Sequence, residues 1–323
     1  MDNIILSICI PTHNRKFNLK KIVDSILICK SEEFEVLIQD NESTDGTLEM
    51  IEAYNEKKIS AYRGTYGYPL YYEKARGKYI LNLLDKDFIL GSYLEDFIKQ
   101  LKNREICCGY CSLNRNTYVS NAMNYFTDLD AMLKMGYINM HPSGIFYRRD
   151  NLLERWKKEK SRYVLEYIPV DMIIETNLPV AAYKSCLILT EKRDEAGNKK
   201  SLTYDQYNCW FYPDTYMERM RTYLQHASLL NINQDKKELL LRTIIERIFV
   251  FLDNVHNYKN DENIMRHYNL EEEAFAHMTR QSEIDYYKKY VIHYFREYIF
   301  MNKEVKEKII MYFKEYGGED VNE

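Results

Sequence analysis

The segment "KYILNLLDKDFIL" (78–90) runs apolar for several residues and then places Asp85 and Asp87 on either side of Lys86. An uninterrupted apolar run is typical of a strand that is buried on both faces. Because side chains two residues apart on a strand point the same way, we expect both carboxylates to reach one cation at the strand's carboxyl end. Hard divalent cations prefer carboxylate and phosphate oxygens. The stretch therefore predicts a divalent metal site beside a diphosphate; the alternative is a polar loop that only solvates the strand end.

The first third of the chain alternates short apolar runs with helical patterns. Four further strands are predicted, at 4–10, 34–40, 58–64 and 105–113. Apolar residues at helical spacing lie between them: Leu19, Ile22, Val23 and Ile26, then Leu48, Ile51 and Tyr54. This alternation predicts an α/β fold with a mostly parallel sheet flanked by helices.

The pattern changes after about residue 205, where long helical segments take over. In 236–256 one apolar face recurs, formed by Leu240, Leu241, Ile244, Ile245, Ile248, Phe251, Leu252 and Val255. The charged stretch 191–201 predicts an exposed loop. We therefore expect an α/β domain over 1–204, with halves 1–112 and 113–204, and an all-α appendage over 205–323.

Charge and cysteine content limit the function classes. The chain has 45 basic and 49 acidic side chains, a balance that argues against a nucleic-acid partner. Seven cysteines without framework spacing predict buried thiols, including Cys108 and Cys111, and a reducing compartment. Neither a signal peptide nor a run of about 20 apolar residues is present, so we expect a cytoplasmic protein.

Polar residues also follow the first two strands, at 11–15 and at 40–43. Ligands of open α/β sheets bind at the carboxyl ends of strands, so these residues are candidates for reading a nucleotide. The glycine-rich loops of dinucleotide-binding and P-loop enzymes are absent from the sequence. The alternative for 11–15 is a simple strand stop, with Asn14 or Asn18 capping a helix and His13 serving in packing or hydrogen bonding.

Four segments together resemble the signature regions of family 2 glycosyltransferases with the GT-A fold: "SICIPTHNR" (7–15), "FEVLIQDNESTDGT" (34–47), "KARGKYILNLLDKD" (74–87) and "PSGIFYRRDNL" (142–152). Their order and spacing agree over about residues 4–190. The resemblance implies that 1–204 is the catalytic domain, with a nucleotide-binding half (1–112) and an acceptor-binding half (113–204). The resemblance implies a nucleotide-diphosphate sugar donor, with UDP or dTDP expected, a Mn²⁺ or Mg²⁺ ion, and transfer with inversion at the anomeric carbon. The acceptor would be a glycan, glycolipid or glycoprotein, for example in capsule or O-antigen synthesis.

Carried over by position, the resemblance implies Asp87 as the direct metal ligand and Asp85 near the ribose or a metal-bound water. The residues implied to bind the nucleotide sugar are Pro11, Thr12, Asn14, Arg15, Asp40, Asn41, Asp85 and Lys86. Three positions depart from the family pattern. His13 replaces a Tyr, Asn41 replaces a second Asp that commonly contacts uracil, and Phe88 replaces a third acid.

Inversion in one step needs a carboxylate that takes the proton of the acceptor hydroxyl. In the family this acid opens a helix after the segment matching 142–150, so the resemblance implies Asp171, with Val170 in place of the usual Glu. Glu166 and Glu175 are the alternatives. Asp171 would otherwise be an acid favoured by the dipole of the first helical turn.

The segment 141–150 is expected to form the acceptor side. Ser143 and Gly144 would allow close backbone approach, and Arg148 or Arg149 would lie near phosphate, which arginine binds bidentately. A surface strand with solvated arginines is the alternative.

The aromatic-rich C-terminal tail has three interpretations: a helix on the membrane surface, a homo-oligomer contact, or the core of a small bundle. At the level of function, two alternatives stand beside the glycosyltransferase. One is a non-catalytic protein that binds sugar nucleotide or partners through the tail. The other is a sugar nucleotidyltransferase, which would need a glycine-rich N-terminal loop that "ICIPTHNR" lacks.

Overall fold

The computed structural model describes residues 4–65, 69–114, 121–138, 142–159, 168–176, 178–190, 223, 226–227 and 230–244. The chain divides into two compact units, residues 1–195 and 196–323. The predicted boundary at 204/205 stays a prediction, and the predicted loop 191–201 lies outside the described residues.

The first unit builds a nine-stranded sheet from its described residues. Its strands are β1 (Leu6–Thr12), β2 (Phe34–Asp40), β3 (Ile59–Arg63), β4 (Tyr79–Asn82), β5 (Asp87–Ile89), β6 (Cys108–Asn114), β7 (Ala122–Phe126), β8 (Ile145–Arg148) and β9 (Val180–Thr190). Its helices are α1 (Lys16–Ile26), α2 (Thr47–Glu52), α3 (Tyr71–Lys74), α4 (Gly91–Lys102), α5 (Leu129–Ile138), α6 (Arg149–Glu159) and α7 (Ile168–Glu175).

The strand order is β3-β2-β1-β4-β8-β6-β9, and both β5 and β7 pair with β9. β1–β4, β6 and β9 run in one direction, whereas β5, β7 and β8 run against them. The sheet is therefore mixed but mostly parallel, which confirms the predicted fold class. The central antiparallel strand is β8, between β4 and β6.

The buried positions explain why these segments fold as they do. All seven residues of β2 are buried, as a strand covered on both faces requires. The predicted stripe of α1 is buried in full, namely Leu19, Ile22, Val23 and Ile26. α4 begins at Gly91, where a Cβ atom would lie 2.0 Å from the Ser25 carbonyl oxygen, so no larger residue fits. Cys108 and Cys111 are buried free thiols, as predicted.

In the second unit, residues 234–244 are helical and begin at an asparagine cap. The Asn233 Oδ1 atom accepts the Lys236 N–H at 2.9 Å, a contact typical of a helix N-terminus. Leu240, Leu241 and Ile244 are buried, which confirms the start of the predicted apolar face. The remainder of that face and the aromatic tail lie outside the described residues. No helix in the described part of the chain has the length and apolarity needed to cross a bilayer.

Candidate active site

The ends of β1 and β4 meet at Asp85. The Thr12 hydroxyl donates to Asp85 Oδ2 at 3.0 Å, and the His13 N–H reaches the same oxygen at 3.4 Å. The Arg15 guanidinium lies 3.6 Å from the other carboxylate oxygen. The half-buried Pro11 precedes this group on β1. The structure thus brings together several residues that the sequence placed at one edge of the sheet.

The partners of Asp85 only partly offset the cost of burying its negative charge. Burial raises its pKa above the ordinary value, and the charges and hydrogen bonds of Arg15, Thr12, His13 and Lys86 lower it by less. Its side chain is 14% exposed. A cation or a further donor at this edge would stabilise the charged form of Asp85.

The end of β2 contributes a second buried carboxylate. Asp40 is fully buried, and its Oδ1 atom accepts the Ser43 N–H at 3.2 Å. Its Oδ2 atom is buried without a hydrogen-bond partner among the described residues. A buried acceptor without a donor costs free energy, so Oδ2 is a place where a ligand N–H or O–H would bind favourably.

Asn41 is held by its neighbours on both sides. Its N–H donates to the Thr12 carbonyl at 2.9 Å, and its own carbonyl accepts from His13 Nδ1 at 2.6 Å. Its side-chain Oδ1 accepts from Gln39 Nε2 at 2.9 Å, so the amide turns its NH₂ group away from Gln39. The predicted hydrogen-bonding role of His13 is confirmed.

Asn14 joins the two strand ends, adopting a positive φ of 52°. Its side-chain oxygen accepts the Thr44 N–H at 2.8 Å, and its own N–H donates to the Ser43 hydroxyl at 2.9 Å. The predicted cap of α1 is supplied by Asp45 instead, which accepts the Lys16 N–H at 3.0 Å. Asn14 therefore shapes the loop around the nucleotide-binding candidates, and its role as a ligand stays a prediction.

Asp87 does not share a strand with Asp85, contrary to our expectation. β4 ends at Asn82, a turn closes through the bond from the Asp87 N–H to the Leu84 carbonyl at 3.0 Å, and Asp87 then opens β5. Strand alternation therefore cannot orient the two carboxylates. Asp87, which is 1% exposed, instead accepts a hydrogen bond from the Ser143 hydroxyl.

The segment expected on the acceptor side is divided between two edges of the sheet. Because β8 runs antiparallel to β4, Ser143 and Gly144 lie near the end of β4. Gly144 takes a φ of 88° and donates its N–H to the Asn82 carbonyl at 2.9 Å. Ser143 is fully buried, which removes it from direct contact with an acceptor.

The arginines of this segment lie at the opposite edge, where β4 begins. Arg149 donates from Nε to the Ala75 carbonyl at 2.6 Å, and Arg148 forms an ion pair with Glu105. Arg148 pairs with Tyr79, the first residue of β4. The expected position of Arg149 beside the acceptor and phosphate is therefore wrong, since the antiparallel direction of β8 carries it away from Asp85.

The predicted base belongs to an ion triad in which Asp171 and Arg155 are buried and Glu175 is partly exposed. Asp171 is 1% exposed in α7 and binds the guanidinium of Arg155 on α6, which also contacts Glu175 at 2.8 Å. After α7 the chain reaches the edge of the sheet where β6 and β9 begin. There the Cys107 N–H, just before β6, donates to the Pro179 carbonyl, just before β9, at 2.9 Å. Asp171 lies one helical turn before Glu175. Glu166 lies outside the described residues.

Arg155 is the residue of this triad that was not predicted from the sequence. It falls on the buried stripe of α6 with Leu152 and Trp156, at the i, i+3, i+4 spacing of a core-facing helix. An arginine on such a stripe indicates a buried acid on the facing element. That signal could have found the partner of Asp171.

The donor set fits a divalent cation that also binds phosphates. No group of three or more His, Cys, Asp or Glu side chains is arranged for a metal within the described ranges. Mg²⁺ in phosphate-binding sites commonly uses only one or two carboxylates and takes its other ligands from phosphates and water. Asp85 and Asp87 supply such carboxylates, and burial raises the pKa of Asp85 despite the nearby Arg15 and Lys86, so a bound cation would stabilise its charged form.

Comparison with known proteins agrees with this geometry. Residues 7–156 match the family described as "Glycosyl transferase family 2". The abequosyltransferase RfbV of Salmonella typhimurium (strain LT2) is 39% identical over 75 residues, a match that spans 22% of this chain and 20% of the relative's own length.

Crystal structures of S. aureus TarS 1-349 share the fold. One aligns with a TM-score of 0.59 at 15% identity, and the complex of TarS with UDP-GlcNAc aligns with a TM-score of 0.60 at 16% identity. Each alignment covers 99% of this chain and 93% of the TarS chain. Residues 7–156 are therefore similar in sequence to family 2 glycosyltransferases, and the domain has the GT-A fold.

Proposed function

We propose that the chain transfers a glycosyl residue from a nucleotide-diphosphate sugar to an acceptor hydroxyl. The observation that carries this proposal is the group formed by Thr12, Arg15 and Asp85, at the carboxyl edge of the parallel strands in a family 2 domain. This edge is where open α/β sheets bind ligands.

The nucleotide would lie across the ends of β1 and β2. The buried Asp40 Oδ2 atom lacks a donor among the described residues, and a base N–H or ribose hydroxyl can supply one. Arg15 places a guanidinium at the same edge, which suits a diphosphate. UDP or dTDP is the proposed carrier, and the binding of UDP-GlcNAc by TarS supports a uridine donor.

The proposed metal site consists of Asp87 and Asp85. A Mn²⁺ or Mg²⁺ ion bound there would neutralise charge that builds up on the departing diphosphate. The protein's own part is to hold the two carboxylates in place, through Ser143 for Asp87 and through Thr12 and Arg15 for Asp85.

Asp171 is the proposed general base. It would accept the proton of the acceptor hydroxyl as that oxygen attacks the anomeric carbon from the face opposite the diphosphate, which inverts the configuration. In the structure it is buried and bound by Arg155, so this role requires that the carboxylate become accessible to the acceptor hydroxyl.

We propose a glycan, glycolipid or glycoprotein as the acceptor and a role in bacterial surface polysaccharide synthesis, at the cytoplasmic face of the membrane. The similarity to a relative named as an abequosyltransferase supports transfer of a sugar to such an acceptor.

A second candidate is a nucleotide-sugar-binding protein without transferase activity. The burial of Asp171 and its ion pair with Arg155 favour this alternative, because a structural ion pair has the same appearance. The two candidates make the same prediction for nucleotide binding and opposite predictions for turnover.

Thermal shift and turnover together test the proposal. UDP, dTDP, GDP and CDP are each added with Mn²⁺ or with EDTA to wild type, Asp87→Asn and Asp171→Asn. A ligand at about 100 times its Kd stabilises the protein by about 2.7 kcal/mol, which shifts the melt by several degrees. We expect one nucleotide to raise the melting temperature of wild type and of Asp171→Asn when Mn²⁺ is present. The same nucleotide should give no Mn²⁺-dependent shift in Asp87→Asn.

Donor-sugar hydrolysis or transfer is then measured with the nucleotide identified. Asp171→Asn should lower turnover by at least a hundredfold, while Glu175→Gln, the matched acid on the same helix, should stay near wild type. Binding without turnover in wild type would favour the second candidate. The absence of any nucleotide shift would contradict both.

A further inference from the structure

The Ser143 side chain connects the two ends of the turn that carries the aspartates. Its hydroxyl oxygen accepts the Leu84 N–H at 2.9 Å and donates to the Asp87 Oδ2 atom. A hydroxyl has one proton and two lone pairs, so accepting from Leu84 leaves its single proton for the carboxylate. With the Asp87 N–H bonded to the Leu84 carbonyl, the turn 84–87 is closed by three hydrogen bonds.

The backbone around Ser143 is itself fixed. The next residue, Gly144, donates to the Asn82 carbonyl at 2.9 Å, and its carbonyl accepts the Cys111 N–H at 2.8 Å. Ser143 has no solvent exposure, so water cannot replace its hydroxyl without a rearrangement. A buried hydroxyl held from both sides and aimed at a carboxylate fixes the direction in which that carboxylate faces.

We propose that Ser143 is a positioning residue for Asp87, which sets the orientation of this carboxylate toward a divalent cation and the diphosphate. The inference rests on the proposed function, and it replaces the acceptor-side role expected from the sequence. Groups that hydrogen-bond to metal-binding carboxylates change metal affinity by about 10–100-fold when they are removed.

The test measures Mn²⁺ binding directly. Free Mn²⁺ is followed by electron paramagnetic resonance during titration of the full chain in the presence of UDP or dTDP, and nucleotide binding in EDTA is followed by calorimetry. We expect Ser143→Ala to weaken Mn²⁺ binding by about tenfold or more, with nucleotide affinity in EDTA within about twofold of wild type.

Ser185→Ala is the matched control. Ser185 is also fully buried and accepts a backbone N–H, from Leu187 at 3.0 Å, but its hydroxyl does not bond a carboxylate within the described part of the chain. Its loss should leave Mn²⁺ affinity unchanged. Ser143→Cys serves where the alanine variant does not fold, because the thiol is a weak donor in nearly the same volume. We expect weakened Mn²⁺ binding in that variant too.

Wild-type Mn²⁺ affinity in a folded Ser143→Ala or Ser143→Cys variant would overturn the inference and leave the proposed function intact. Metal-independent nucleotide binding by wild type would have the same effect, since Asp87 would then have no cation to hold. Failure of wild type to bind either nucleotide under any condition would overturn both the inference and the proposed function.

Discussion

The Arg15 guanidinium lies 3.6 Å from the Asp85 carboxylate and links the start of α1 to the turn after β4. The pair sits in a network in which Thr12 and the His13 N–H also bind Asp85. Burial nevertheless outweighs these partners and raises the Asp85 pKa. The edge of the sheet therefore carries a carboxylate whose charge reduces the stability of the unliganded protein.

Asp85→Asn should raise the stability of the metal-free protein at pH 7 while reducing nucleotide binding. Between the ordinary pKa of 3.8 and the raised value, the folded state binds a proton that the unfolded state does not. The free energy of unfolding of wild type therefore falls as pH rises through this window, and the asparagine variant lacks that fall. Urea denaturation in EDTA at several pH values measures the difference.

The gain in free energy of unfolding of Asp85→Asn over wild type should be largest at neutral pH. It should vanish below about pH 3.8, where the aspartic acid of wild type and the asparagine of the variant are both neutral. Asp150→Asn is the control, because the Asp150 side chain is 77% exposed. Lower stability of Asp85→Asn at pH 7 would mean that the bonds to Arg15 and Thr12 outweigh burial.

Asp45→Ala should cost about 1–2 kcal/mol, because one carboxylate caps two helices. Asp45 accepts the Lys16 N–H at the start of α1 and the Thr47 N–H at the start of α2, at 3.0 and 3.1 Å. Glu52→Ala, at an exposed position of α2, should change stability by less than about 0.5 kcal/mol. Chemical denaturation at pH 7 compares the two, and equal losses would contradict the double cap.

The stability that Asp45 supplies should depend on pH. Burial would raise its pKa, but the hydrogen bonds from Thr47 and Lys16 prevail and lower it below the ordinary 3.8. Its contribution is therefore fully present above that value and is lost as pH falls through the lowered pKa. The gap between wild type and Asp45→Ala should narrow in acid, which repeated denaturation at pH 3 would detect.

Gly144→Ala should destabilise the domain by about 1–3 kcal/mol. Its φ of 88° is unfavourable for a residue with a side chain, and a Cβ would lie 3.2 Å from the Cys111 carbonyl oxygen. Gly136→Ala is the contrast: it lies in α5, where alanine favours the helix and the nearest atom is the mobile Cδ1 of Ile173 at 3.1 Å. A Gly136→Ala variant that loses more stability than Gly144→Ala would refute this account.

Arg155→Met should destabilise the protein by about 3 kcal/mol or more, because it leaves the buried Asp171 charge without its guanidinium. Glu175→Gln should cost at most about 1 kcal/mol, since that side chain is 45% exposed. Adding Asp171→Asn to Arg155→Met should recover part of the loss. A double variant no more stable than Arg155→Met would indicate that packing of the arginine, and not charge, is the cause.

Local patterns in the sequence predicted much of the fold. β2 has the bounds predicted for it, 34–40, and α1 buries the four residues that its spacing selected. The edge carrying Thr12, Arg15 and Asp85 followed from the rule that ligands bind at strand ends. The strand and the helix depend on neighbours in the chain, and the shared edge depends on a general rule of parallel sheets, so a single sequence is enough to predict them.

What the sequence did not predict depends on pairing between distant segments. The direction of β8 is set by its contacts with β4 and β6, and that direction separates Arg149 from Ser143. The early end of β4 at Asn82 defeated the alternation argument for Asp85 and Asp87. The partner of Asp171 depends on how α6 packs against α7. In the sequence, the only indication of this contact is that Arg155 falls on the apolar stripe of α6.

The insertion of β8 also affects the order in which the domain can fold. β1, β2, β3 and β4 pair among themselves, but the other edge of β4 pairs with β8, which the ribosome delivers only after β6 and α5. Long-range pairing of this kind is a slow step, and until it occurs an emerging chain exposes unpaired strand edges. Ser143 and Gly144 arrive with β8, so the turn that carries Asp87 acquires its bonds only then. The pairing of β8 with β4 is thus also the event that brings Ser143 to the candidate metal ligand Asp87, and a nascent chain cannot fix this carboxylate before β8 has emerged.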